Sequence, residues 1–515
     1  MFNLKDLDLD HLPDVNFSTL GLLLPGLFLI WYLVSSVYSW YRLRHIPGPF
    51  LGSFSYTWIA KTALGGRTGY ELLRQQKKAG SLLRVAPNYL LTDDPQVFRK
   101  VNAARGAYHR DGWYGATRVD PRQDHLISIL DTAEHDRMKA KVAHGYNGRD
   151  MDVNGAVDSI VTLFIDTIRS RYLTHTQKEG DSVERGGLVK VDFAALARYF
   201  TLDVITRVSY GQEFGFIAAG RDLYSYTRSM EQFIVVLTIA TDVPLIRRIV
   251  FSPLMAGLMP KHTDESGLGK VLGIARKIVG KRYDEEVTGE RDMIGSFMRA
   301  GLTRIECEAE TGLQIIAATD TTAGAIRSTM VHLLTSPPAY ARLKSEVRKA
   351  VESGVSFPIT LDQARKLPYL QAVIWEGLRM RPPAVYGHYK VVPPGGDTLN
   401  GVFIPGGTAI GHNMTAMMRN EAVFGQDVDV FRPERYLECD ADKKAEAERV
   451  VDLVFGAGRW TCAGKTVAFT ELNKVFFELF RAFDFQLINA TNPCRENAYV
   501  VWVQSNMWVR ITEVT

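Results

Sequence analysis

The chain has 515 residues, 46% of them hydrophobic and 23% charged, enough for one large buried core or two modest ones. Its 61 basic and 57 acidic residues leave a formal charge of +4, too small and too evenly spread for a nucleic-acid-binding surface. The four cysteines, Cys307, Cys439, Cys462 and Cys494, are far apart, which excludes a zinc cluster or a disulfide framework and predicts a reducing compartment.

A charge-free run from Val15 to Tyr41 follows an acidic start containing Asp6, Asp8, Asp10 and Asp14. The run is long enough to span a bilayer and lacks the basic start and small-residue cleavage site of a signal peptide. The expected organisation is a luminal segment over 1–18, a transmembrane anchor over 19–41, a basic, proline-stiffened hinge over 42–50 and one large domain over 51–515. Arg42 and Arg44 just beyond the run, with Trp40 and Tyr41 at the interface, place that domain on the cytoplasmic side. In the hinge, HIPGPF, Pro47 and Pro49 restrict their own backbone and that of their neighbours.

Within the domain, apolar residues recur at helical spacing over 192–210, 306–335, 338–352, 365–380 and 464–482. Strand-like pieces fall at 81–92, 397–411 and 499–511. The predicted class is mainly α with a minor β part. The polar stretch THTQKEGDSVERGG (174–187) is read as a surface loop. Residues 233–260, apolar but broken by Pro244, Pro253 and Pro260, are either a core element or a membrane-facing access path for a lipophilic ligand.

Four polar residues in succession, Thr319, Asp320, Thr321 and Thr322, interrupt the helix over 306–335. Their hydroxyls compete for backbone bonds, so a local distortion is expected. Further on, WEGLRM sets Glu376 and Arg379 on one helical face, within pairing distance, and FRPERYL carries Arg435.

The stretch FGAGRWTCAGK (455–465) places a cysteine among glycines immediately before an apolar-faced helix. Free amides and the positive helix end stabilise a thiolate there and lower its pKa. Gly458 and Gly464 allow a tight turn and the close approach of a flat ligand.

This loop resembles the haem-binding loop of the cytochrome P450 family, with Phe455 seven residues before the cysteine, Gly458 four before and Gly464 two after. The resemblance implies that family's fold around a buried haem b, with Cys462 as the axial thiolate. Glu376, Arg379 and Arg435 would lock the chain behind the haem. Ala317, Ala318, Thr319, Asp320 and Thr321 resemble the oxygen-binding helix, with Asp320 and Thr321 relaying protons and Ala318 standing where glycine is usual. AEHDRMKAK resembles the propionate-binding helix, making His135 and Lys139 candidate propionate contacts, and Lys390 occupies the place of another propionate arginine. Trp460 stands where a propionate-binding arginine or histidine is usual, so either Arg459 or the Trp460 indole would replace it. Tyr114, Phe233, Val385 and Tyr386 are candidates for the pocket wall.

The function implied is a microsomal monooxygenase that inserts one atom of O2 into a lipophilic small molecule of secondary metabolism, in the manner of fungal members near pisatin demethylase. Two other readings are a haem-thiolate isomerase or dehydratase that uses no O2, and a non-catalytic membrane haem protein. No flavin- or nicotinamide-binding signature is visible, so electrons would come from NADPH–cytochrome P450 reductase, with cytochrome b5 as an optional second donor. Arg137, Lys141 and Lys465 are read singly as solvated charges and together as a basic patch for such a partner. The expected location is the endoplasmic reticulum membrane, crossed once.

Overall fold

The long helix Arg304–Leu334 is the beam on which the molecule is built. It opens with a capping box, in which the Thr303 hydroxyl receives the Glu306 amide and the Glu306 carboxylate receives the Thr303 amide. Most of its residues are buried, chiefly against helix Phe193–Tyr210, itself buried nearly all round. A helix apolar on every side belongs in the middle of a large core. Helices Val153–Arg171, Gly267–Asp284, Pro368–Met380 and Lys465–Ala482 complete the layer, their buried faces merging into one continuous core. This computed structural model describes residues 17–514 apart from 121, 174–188, 253, 254, 256 and 258. The acidic start and the loop predicted over 174–187 therefore lie outside the described residues.

A five-stranded sheet flanks the helices, in the order Leu82–Ala86, Tyr89–Thr92, Ala409–Asn413, Tyr386–Val391, His109–Arg110. Tyr89–Thr92 runs parallel to Ala409–Asn413, and the other neighbours are antiparallel. A three-stranded sheet of Lys190–Asp192, Trp508–Glu513 and Phe483–Leu487 closes the other end. The mainly helical class with a minor sheet is thus what forms.

Two expectations change. The expected transmembrane span is not found: among the described residues no helix is long and apolar enough to cross a membrane. A helix does cover Phe17–Leu43, and Leu27, Phe28, Leu29, Ile30, Trp31, Leu33, Val34 and Val37 are each more than half exposed on it. Nor does the threonine run distort the long helix, which is continuous from Arg304 to Leu334. Thr319 and Thr321 turn their hydroxyls back onto the carbonyls of Ile315 and Ala317, at 2.6 and 2.7 Å. Those carbonyls accept a second bond without surrendering the helical one.

The 233–260 segment folds as helix Tyr226–Asp242 followed by Pro244–Val250. Met230, Ile234 and Ala240 enter the core, while Val236, Leu245 and Ile249 are about half exposed. A cavity of about 510 Å³ opens beneath it, lined by Phe233, Leu237, Phe251 and Met259 among others. The core reading thus holds for one face of the segment, and the other face is exposed and apolar.

Candidate functional site

Cys462 sits where the loop Phe455–Gly464 feeds into helix Lys465–Ala482. The loop is a closed turn, with the Cys462 amide donating to the Phe455 carbonyl at 2.7 Å. Gly456 and Gly458 both have positive φ, +82° and +55°. A Cβ at Gly458 would lie 2.3 Å from the Asn102 carbonyl oxygen, so that glycine is needed for packing against the chain itself. Gly464 has an ordinary φ of −79° and owes its place to the open face beside the Cys462 sulfur. The Phe455 ring packs on Phe469 (centroids 5.1 Å), which in turn meets Trp375 beside Glu376.

The sulfur lies deep in the molecule yet is exposed, because it opens on an internal cavity of about 290 Å³. The amides of Gly464 and Lys465 point at it, as expected for a helix start, but burial outweighs them and pushes the thiol above its usual pKa. The lowering expected from the helix end alone is therefore overturned in the haem-free chain. Ala317, Ala318, Thr321 and Thr322 line the same cavity from the long helix. Asp320 turns away and pairs with the buried Arg198 at 3.0 Å. Arg198 also reaches Glu231, at 3.6 Å and partly open to solvent.

Behind the cavity the Glu376, Arg379 and Arg435 side chains meet. Arg379 donates twice to the Glu376 carboxylate, at 2.7 and 2.8 Å, and Arg435 donates at 3.0 Å. Arg379 also holds the Met418 and Val428 carbonyls, at 2.9 and 2.7 Å. This buried fork ties helix Pro368–Met380 to the stretch leading into the cysteine loop.

Of the other predicted residues, His135 and Lys390 line the cavity. The His135 ring packs on Trp460 (4.4 Å), and burial, with Arg110 nearby, lowers its pKa to about 4. Lys390 is fully buried against the Tyr114 hydroxyl, and burial lowers its pKa well below normal. Lys139 straps the loop instead, donating to the Arg459 and Thr461 carbonyls at 2.6 and 3.1 Å. The Arg459 guanidinium pairs with Asp136 at 3.2 Å, and Trp460, not Arg459, lines the cavity. Of the pocket-wall candidates only Tyr114 lines it; Phe233 faces the larger cavity, and Val385 and Tyr386 belong to an aromatic core. Arg137, Lys141 and Lys465 each have an acidic neighbour, Glu134, Glu306 and Asp452.

Sequence reasoning missed Arg110, whose guanidinium lies 4.5 Å over both the Tyr114 and Trp460 rings. No local pattern marks it, because the strand pair His109–Arg110 with Lys390–Val391 brings it in. Arg198 was missed because the packing of helix Phe193–Tyr210 on the long helix, not a local pattern, brings it to Asp320.

The cavity suits haem. One end holds two buried basic side chains, Arg110 and Lys390, which among the described residues have no carboxylate within ion-pair distance, as two propionates require. One wall offers a single sulfur. Among the described residues no group of three or more His, Cys, Asp or Glu side chains is arranged to hold a metal, so an iron held here would bring its other ligands with it, as haem iron does.

A carboxyl outside the cavity gives a pH prediction. Asp242, fully buried at the end of helix Tyr226–Asp242, accepts from the Tyr386 hydroxyl and, at 3.4 Å, from Trp113 Nε1. Burial pushes it up to about 7, against the opposing pull of those two bonds. The folded chain then holds a proton that the unfolded chain releases near pH 4, so stability is greatest in acid and falls as pH rises through that window, by roughly 4 kcal/mol at most. Thermal unfolding at pH 5 and pH 8 should show Asp242→Asn flattening the dependence and exceeding the wild type at pH 8.

The cytochrome P450 family model matches residues 153–507. The cytochrome P450 monooxygenase aba1 of Botryotinia fuckeliana is 42% identical over 475 residues, covering 92% of each chain. ABA1 of Pyricularia oryzae is 43% identical over 493 residues, 94% of this chain and 95% of its own. The cytochrome P450 monooxygenase abl1 of Leptosphaeria maculans is 38% identical over 501 residues, 96% of this chain and 87% of its own. With whole-length relatives and the geometry of the cysteine loop in agreement, the chain belongs to the cytochrome P450 family of oxygen-incorporating oxidoreductases, whose haem iron takes a thiolate ligand.

Proposed function

We propose that this chain is a membrane-anchored monooxygenase that inserts one oxygen atom of O2 into a lipophilic small molecule of secondary metabolism, with Cys462 as the iron ligand. The observation that carries the reading is that Cys462 and Thr321 open on one cavity whose lining is largely apolar. Bound haem would supply O2 activation, with the thiolate donating electron density that favours O–O cleavage.

The remaining work falls to the chain. His135, Lys390 and Arg110 hold the propionate end, and Lys139 with Phe455 and Gly458 keeps the thiolate loop closed. Thr321 Oγ1, bonded to the Ala317 carbonyl at 2.7 Å, is positioned to pass a proton into the cavity. Asp320, held by Arg198, stands one residue away to resupply it, and the solvent-facing Glu231 is the outermost charge on that line. Apolar lining excludes bulk water, so protons enter by this route and not at random.

Electrons come from an external donor, here NADPH–cytochrome P450 reductase with cytochrome b5 as an optional second. The exposed apolar helix at 26–41, followed by Arg42 and Arg44, supports a seat on the endoplasmic reticulum membrane with the domain cytoplasmic. The half-exposed Val236, Leu245 and Ile249 would rest on the same surface.

The test is Thr321→Ala. With reductase and a turned-over substrate, NADPH consumption should continue while product per NADPH drops roughly 10²-fold and hydrogen peroxide appears in its place. Unchanged product yield without peroxide removes Thr321 from the proton route.

A further inference from the structure

Two histidines at the cationic end of the cavity have no part in that account. Gly387 of strand Tyr386–Val391 pairs with His412 of strand Ala409–Asn413, and the register slips between Gly387 and Lys390. The slip leaves His388 at φ +53°, a left-handed conformation costly for a residue with a Cβ and tolerated where a site requires it. It stacks the His388 and His412 rings at 5.1 Å and 14°. Both rings line the cavity beside Arg110 and Lys390.

Among the described residues neither His412 nitrogen has a hydrogen-bond partner, nor does His388 Nδ1, nor Arg110 Nε. Lys390 Nζ has only the Tyr114 hydroxyl and, at 3.2 Å, the His388 carbonyl. Buried polar groups are nearly always paired, and one left unpaired costs about 1–3 kcal/mol. Four such nitrogens grouped in one place, one of them on a guanidinium, call for an acidic acceptor.

Resting on the haem-thiolate reading above, we propose that His388 and His412, with Arg110 and Lys390, form a carboxylate seat filled by the haem propionates. Burial keeps both imidazoles neutral, so each offers one N–H donor, while the two cations supply charge. A carboxylate accepts up to four such bonds, which the seat provides without the arginine that usually precedes the cysteine. A substrate carboxylate has the same chemistry, and the experiment separates the two sources.

Full-length His388→Phe and His412→Phe are loaded with haem and mixed with excess apomyoglobin, and haem transfer is followed in the Soret region. Each variant should release haem about tenfold faster than wild type, as expected for one lost bond to a charged group. The haem-free variants should unfold at the same or a higher temperature, because an orphan polar group has gone from the core. A purely structural histidine would instead lower the unfolding temperature of the haem-free variants. If a phenylalanine ring is not accommodated, the smaller His388→Ala and His412→Ala repeat the comparison. Haem dimethyl ester, whose carboxylates are masked, should leave wild type and variants at equal rates.

Haem release at the wild-type rate in all variants overturns the proposal. If, in addition, only the Soret displacement by an added carboxylic acid ligand weakens, the seat belongs to substrate. A red-shifted carbon monoxide band retained in the loaded variants shows that the thiolate reading stands whichever way the seat is decided.

Discussion

Cys462→Ala should abolish the red-shifted Soret band of the reduced, carbon-monoxide-bound protein and bring turnover to background, while leaving the fold in place. The sulfur faces the cavity and supports no packing, and the loop-closing bond to Phe455 runs through the Cys462 amide, which alanine retains. Thermal unfolding of the haem-free chain should therefore match wild type, while spectra of microsomes carrying the two proteins differ completely. If haem binds wild type without the shifted band, the thiolate assignment is wrong. Burial holds the thiol of the haem-free chain above its usual pKa, so binding of an iron would be accompanied by release of its proton.

Glu376→Ala is expected to have the opposite character, with loss of fold and not of chemistry. Its carboxylate is fully buried and receives Arg379, Arg435 and the Arg432 amide, the last at 2.8 Å. Removing one member of a buried ion pair leaves uncompensated charge and costs about 3–5 kcal/mol, here at Arg379, whose carboxylate partner is lost, while Arg435 keeps Asp427 at 2.9 Å. Against a total stability of about 5–15 kcal/mol, that is a fifth or more of the margin. Little haem protein should accumulate, and what does should melt well below wild type. Glu376→Gln keeps the shape and loses the charge, so it should fail nearly as badly; a wild-type melting curve for either variant would remove the fork from its structural role.

What the sequence disclosed follows from how local each signal is. Helices predicted over 192–210, 338–352 and 464–482 form as Phe193–Tyr210, Pro337–Glu352 and Lys465–Ala482, because a long apolar period is written in neighbouring residues. The cysteine loop and the Glu376–Arg379 pair are local in the same way. Strand Tyr386–Val391 was not visible: it is largely buried on both faces, so it shows no alternation, and its neighbours lie far along the chain. The polar end of the cavity was hidden for the same reason. Arg110, Lys390 and His412 come from three strands whose register alone unites them, and Arg459, one place before the usual position, was a candidate only by its nearness in the chain, while its side chain turns to Asp136.

Arg84 gives the amino-terminal helix a fixed bearing. Its guanidinium is buried in strand Leu82–Ala86 and donates to the Ser39 carbonyl at 2.9 Å and the Trp40 carbonyl at 3.3 Å, the free acceptors at a helix end. Arg42 adds a bond to the Gly406 carbonyl at 3.0 Å. The helix is thus moored to the domain like a mast to a deck, and the two share one heading with respect to any surface the helix enters. A shortened version cut after residue 41 would discard both carbonyls and leave the Arg84 guanidinium with the Pro87 carbonyl at 2.9 Å as its remaining close acceptor among the described residues; a cut placed before Ser39 keeps the mooring.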